Sequence, residues 1–151
     1  MKFEKFLKEV GTSGTVVEVN EFEKWLVCGG VGMIIPNGVD NLLGSKNNEA
    51  NINLVKALSN AELDDELTLD RAVLRDPQGN AKSIYRIFES ELGETVGIIN
   101  GDYGLLEKTD ALGYGEVIVP GKEGDEVVKF VLVFNEYDQK LQGFIRGSKD
   151  F

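Results

Sequence analysis

Along residues 2–10 the apolar side chains Phe3, Phe6, Leu7 and Val10 recur at spacings of three and four, with Lys2, Glu4, Lys5, Lys8 and Glu9 between them. That period puts them on one stripe of an amphipathic α-helix. Gly11 and Gly14 follow and predict its end. A helix this short is marginal in water by itself, so its stripe needs cover. The cover is either the chain's own sheet or a neighbouring subunit reached over the Gly11-Thr12-Ser13-Gly14 link.

After this the period drops to two. Residues 15–20 (TVVEVN) and 22–28 (FEKWLVC) are rich in β-branched and aromatic side chains and read as strands. Gly29, Gly30 and Gly32 interrupt the pattern, and residues 33–35 (MII) form a further strand ended by Pro36. Residues 37–53 are poor in large apolar side chains and carry six asparagines, which predicts a long surface loop suited to packing on a neighbour. A second helix at about 50–58 presents Ile52, Val55 and Leu58 on one side. Ser59 and Glu62 have capping-box spacing, so a helix either restarts there or continues to about residue 66.

Residues 67–90 carry the clearest unit, two strand-like runs around Asp76-Pro77-Gln78-Gly79. Asp, Pro and Gly there occupy the turn positions that their backbones favour, which predicts a β-hairpin. Residues 96–100 (VGIIN) and 116–119 (EVIV) are shorter strands separated by a glycine-containing loop. The last pair, 126–135 and 140–147, is joined by EYDQ. In the first of these, Val128, Phe130, Leu132 and Phe134 make one face, and Val127, Val131 and Val133 make the other with Lys129 as the only polar residue. An inner strand covered on both sides fits that pattern.

The elements add up to an α+β fold, mostly antiparallel β-sheet with one or two packed helices, with a small barrel or a sandwich left open. No repeat, low-complexity tract or proline-rich linker divides the 151 residues. The expectation is a single β-rich domain over 1–151 with the amphipathic helix at its start.

Composition changes the functional picture more than the structural one. The chain has no histidine and one cysteine. It therefore lacks a Ser-His-Asp or Cys-His nucleophile, a histidine metal site, an internal disulfide and a Cys-only cluster. Acidic residues outnumber basic ones 26 to 16, for a formal net charge of -10. With no basic stripe, neither nucleic acid nor an anionic membrane is expected as a partner. MKFEKFLKEVG lacks a signal-peptide apolar run, and no stretch reaches the ~20 apolar residues of a membrane-spanning helix. A protein made in the cytoplasm is expected, with later incorporation into a virion as one destination.

Individual motifs add little chemistry. Glu62, Asp64, Asp65 and Glu66 are near-consecutive, so on a helix they diverge and read as a solvated face, not a metal site. Gly29-Gly30-Val31-Gly32 precedes a strand-like MIIP, which suits a tight turn better than a phosphate loop. Cys28 has no base to activate it; Lys24 is four residues away on the same strand face. Ser45-Lys46 and Lys82-Ser83 lack the spacing of helical Ser-Lys catalysis. A carboxylate pair beside Trp25, Tyr85, Tyr103, Tyr114 or Tyr137, with Gly101-Asp102-Tyr103-Gly104 as an exposed loop, would suit sugar chemistry.

The reading names no catalytic, cofactor-binding or metal residue and no cofactor. The expected role is a non-enzymatic structural or protein-interaction subunit, oligomeric or held among other protein subunits, such as a bacteriophage head or tail component. The alternatives are a carboxylate-dependent hydrolase or divalent-metal enzyme, and a small-molecule or carbohydrate-binding module. Two buried carboxylates facing each other in an aromatic cleft would mark the enzyme, and an exposed apolar patch would mark assembly.

Overall fold

The computed structural model describes residues 1–36, 49–75, 83–149 and 151. Among them, nine strands form two antiparallel sheets accompanied by three short helices, an α+β arrangement. Helix α1 (Phe3–Val10) leads into a meander of β1 (Thr15–Glu18), β2 (Lys24–Cys28) and β3 (Val31–Ile34). The β2–β3 turn is Gly29-Gly30 at φ 60° and 82°, a left-handed pair that matches the twist of a two-residue hairpin and that glycine adopts without strain. The glycines thus make a tight strand connection. β3 starts at Val31, earlier than expected, and Gly32 lies inside it, where the missing Cβ admits the Phe144 ring.

Helix α2 (Glu49–Leu58) takes in the last residues of the expected loop; positions 37–48 lie outside the described residues. No helix restarts at Ser59. Its N–H donates to the Val55 carbonyl and its hydroxyl to the Lys56 carbonyl, closing the last turn. The chain then leaves the helix, and Glu66 bridges to Gly113. β4 (Leu67–Arg75) and β5 (Ser83–Ser90) form the expected hairpin, in register from Leu67 opposite Ser90. The turn residues, Gly79 included, lie outside the described residues. β6 (Thr95–Ile99) completes the sheet β4-β5-β6, and α3 (Asn100–Tyr103) follows as a single turn.

The second meander is β7 (Ala111–Gly121), β8 (Gly124–Phe134) and β9 (Leu141–Arg146). β7 is far longer than the expected strand at 116–119. Gly113 and Gly115, which read as loop punctuation, lie within it, since a Cβ there would press on Leu63 and Phe134 or on Leu132. β3 pairs with β9 and joins the meanders into a six-stranded sheet, β1-β2-β3-β9-β8-β7.

Alternation along these strands sorts their side chains onto two faces. On one, Leu26, Met33, Val131, Val133 and Ile145 meet Phe6 and Val10 of α1 and Phe88, Val96 and Ile98 of the three-stranded sheet. On the other, Trp25, Phe130, Leu132, Phe134 and Phe144 meet Val55 and Leu58 of α2. From Val128 onward β8 is an inner strand covered on both faces, as its two apolar rows indicate, whereas Val127, expected in one of those rows, is exposed. α2 touches both edge strands, β1 and β7, so the six-stranded sheet curls around the Phe144 ring without closing into a barrel. The α1 stripe is covered by the chain's own core: Phe6 and Val10 are buried, and Phe3 and Leu7 pack against them. Outward docking of α1 on a neighbour is not the arrangement adopted. No helix among the described residues is long and apolar enough to cross a membrane.

Candidate functional site

Most of the side chains singled out by sequence are structural. Glu62, Asp64 and Glu66 are exposed, but Asp65 is only 7% exposed, which corrects the expectation of a wholly solvated run. Its Oδ1 accepts from the Leu92 N–H at 3.3 Å and its carbonyl from the Tyr114 N–H at 2.8 Å. No group of three or more metal-ligating side chains converges among the described residues. Asp110 is half-buried as a residue but its side chain is only 6% exposed, and it accepts from the Met1 α-ammonium and from the Glu107 N–H, each at 2.9 Å. Trp25 is core and stacks on Phe144 at 5.8 Å, and its Nε1 has no hydrogen-bond partner among the described residues. Cys28 is half-buried, with Sγ 3.9 Å from the Ser13 carbonyl. Tyr85 meets Phe151 in a tilted contact with ring centroids 5.2 Å apart, and Tyr137 stands in solvent. Ser45, Lys46 and Lys82 lie outside the described residues.

Gly101–Gly104 is not an exposed loop. It forms α3 and its cap, held by Lys5 Nζ donating to the Gly104 carbonyl at 3.3 Å. The Arg86 guanidinium lies 4.8 Å from the Tyr103 ring centroid, and its Nε–H donates to Asn100 Oδ1 at 2.9 Å. Burial, and secondarily the Glu9 carboxylate, push Asp102 above the ordinary aspartate range. A raised carboxyl beside a second carboxylate is an ingredient of acid–base chemistry. The grooves lined by Glu126–Lys129 and the C-terminal segment, and those beside Met1 and Phe3, include neither group.

The remaining feature is the arm made by the outer halves of β7 and β8. On one of its faces Tyr114, Glu116 and Ile118 stand beside Val131, Lys129 and Val127, their respective partners in register. At the base the three-stranded sheet covers this face. Lys129 Nζ donates to the Thr95 carbonyl at 3.1 Å and lies 3.4 Å from Glu94 Oε2. The Tyr114 hydroxyl donates to Glu116 Oε2 at 2.9 Å. Burial, this bond and the surrounding carboxylates push the phenol well above its ordinary range, so it is a fixed donor and not a base. Two residues further out the cover ends, leaving Ile118 65% and Val127 56% exposed. Asp125, opposite Pro120, comes next, followed by the Gly121–Gly124 turn.

Beside Val127 the C-terminal segment forms a groove of about 380 Å³ with Lys129, Arg146 and Lys149 in its lining and Glu126 as its acid. Lys149 Nζ stands 3.9 Å from Glu126 Oε2, a solvent-exposed pair of little energetic consequence. The Arg146 guanidinium has no ion pair or hydrogen bond among the described residues. The outer edge of β7 is guarded. The Tyr114 N–H points outward to Asp65, so alternate residues 116, 118 and 120 also face outward, where Glu116 adds charge and Pro120 has no N–H. The sequence pattern assigned Ile118 to a strand and Val127 to the covered face of an inner strand, and the exposure of Val127 corrects that expectation. The signal was the period-two series Asp125, Val127, Lys129, acidic, apolar and basic on one face.

Comparison with protein-family models, curated proteins and solved structures returns no match.

Proposed function

We propose that this chain is a non-enzymatic protein-interaction subunit whose contact element is the β7–β8 arm. The observation that carries the reading is the cross-strand pair Ile118 and Val127, exposed on a face that is core-forming nearer the base. Adjacent aliphatic side chains left in water at the end of a covered face favour a partner. The buried carboxylates support the same choice, because Asp65 and Asp110 are committed to backbone N–H groups and to Met1. Asp102 and Glu9 line none of the grooves described above.

The test is native purification with crosslinking and mass measurement, comparing wild type with the Ile118→Ser, Val127→Thr double variant. Both positions are exposed, so the variant should melt as wild type does and lose its partner, be it a copy or another protein. A wild-type chain that is monomeric and partnerless, or a variant that keeps its complex, would overturn the reading.

A further inference from the structure

We infer that the six-stranded sheet carries a second contact surface, which takes a basic, arginine-bearing segment of another protein. It lies at the far end of β8 from the Ile118–Val127 pair. The register puts the β1–β2 turn, the end of β3 and the β8–β9 turn on one rim, since Trp25 pairs with Ile34, Met33 with Gly143 and Leu141 with Phe134. Each of the two turns has the order asparagine, glutamate, aromatic, acid: Asn20-Glu21-Phe22-Glu23 and Asn135-Glu136-Tyr137-Asp138. In each, the asparagine Oδ1 accepts from the backbone N–H of the aromatic residue, at 2.8 Å for Phe22 and 2.9 Å for Tyr137. Phe22 is 90% and Tyr137 88% exposed, the two most exposed large hydrophobic side chains among the described residues.

The residues around the two rings define the partner. Glu21 and Glu23 flank Phe22, Glu136 and Asp138 flank Tyr137, and Glu18 adjoins the first turn. The cations alongside are Lys24, 3.9 Å from Glu18, and Lys140, so carboxylates prevail on this rim. A guanidinium stacked on an exposed ring also reaches a flanking carboxylate, so ring and acid act on one group. A lysine ammonium meets the same charges without the planar stacking. In the order β1-β2-β3-β9-β8 the two turns stand three strand spacings apart, about 14 Å. Residues i and i+4 of an extended chain are also about 14 Å apart, with their side chains on one side. Such a segment places one arginine on each ring. A second copy would set acid against acid, and the phosphates of nucleic acid or anionic lipid would do the same.

The probe is a short labelled Ser/Thr peptide with two arginines four residues apart, titrated with the full chain at low salt and followed by fluorescence anisotropy. Wild type should bind it at protein concentrations below about one millimolar. Phe22→Ser and Tyr137→Ser should each weaken binding by about threefold or more, and the double variant should lose more than either. Both positions are exposed and uncharged, so the melting curve and the net charge stay those of wild type. Lysines in place of the peptide's arginines should also weaken binding. The Ile118→Ser, Val127→Thr variant should bind the peptide as wild type does, which separates this surface from the arm. A wild type that does not bind would overturn the inference. A Phe22→Ser, Tyr137→Ser double variant that binds as wild type does would overturn it too, by reducing the attraction to overall charge. Capture by phosphatidylcholine vesicles instead of the peptide, lost in that same double variant, would make the rim a membrane contact and equally overturn it.

Discussion

Gly32 stands opposite Phe144 in the β3–β9 register, and a Cβ on it would lie 2.5 Å from Phe144 Cε1 and closer still to Cζ. Carbon atoms normally rest ~3.5–4.0 Å apart, so Gly32→Ala requires the ring to retreat by about 1 Å or more. The ring has little room. Trp25 stacks on it at 5.8 Å, Phe130 meets it edge-on at 5.7 Å, and it is fully buried. Overpacking a filled core typically costs ~1–3 kcal/mol, and the upper end applies where the obstructing group is held from two directions. At ~2–4 °C per kcal/mol for a chain of this size, a loss of about 3 kcal/mol lowers Tm by about 6–12 °C. Urea unfolding followed by emission of the one tryptophan, with calorimetry in parallel, reads both quantities. Phe144→Leu should be less damaging in the Gly32→Ala background than alone, giving a coupling of ~0.5–3 kcal/mol. Gly101→Ala, with nothing within 4 Å of its added Cβ, is the control and should be neutral or slightly stabilising. A Gly32→Ala protein within ~0.5 kcal/mol of wild type would refute the reasoning, since surface-like tolerance is incompatible with a pinned ring.

Three other perturbations have definite outcomes. Asp110→Ala leaves the Met1 ammonium and the Glu107 N–H without their acceptor and should cost about 3 kcal/mol in thermal denaturation, with Asp110→Asn recovering part; a loss below ~1 kcal/mol would contradict the buried pair. Asp102 is raised by burial and by Glu9, so its favourable contribution is complete below the ordinary aspartate range and is lost as pH climbs through the raised value. Asp102→Asn should therefore gain on wild type as pH rises out of that range, and parallel stability–pH curves would count against the shift. Tyr114→Phe should remove, from an alkaline absorbance titration, a phenol that ionises above the ordinary tyrosine range, at a stability cost of ~1 kcal/mol or less. Loss of amplitude within the ordinary range would show the Glu116 contact to be absent.

Where a strand's side chains obey one rule throughout, the sequence was legible. Val128, Phe130, Leu132 and Phe134 against Val131 and Val133 declared both faces of β8, and both are buried. The α1 stripe and the 67–90 hairpin were equally readable because their signals are local. Gly32, Gly113 and Gly115 misled because glycine in a pattern signals a turn, while here its absent Cβ makes room for Phe144, Phe134 and Leu132. The apparent capping box at Ser59 failed because the chain has to leave α2 and reach β7 through Glu66, a pairing that no local pattern encodes. The candidate surface shows the same limit. Val127 and Val131 share a strand face and a chemistry, yet one is exposed and the other buried, since only the position of the three-stranded sheet distinguishes them.

The β3–β9 junction bears on how the chain reaches this state during synthesis. Val31–Met33 pairs with Gly143–Ile145, across more than a hundred residues of chain. The β1–β3 meander can therefore assemble early, but its β3 edge carries Val31 and Met33 with unpaired backbone until β9 emerges. At ~5–20 residues per second of translation, that edge waits about 5–20 s for its mate. Through this interval the nascent amino-terminal half is the species most open to strand-to-strand aggregation, and the inner position of β3 in the finished sheet is the product of late carboxy-terminal closure.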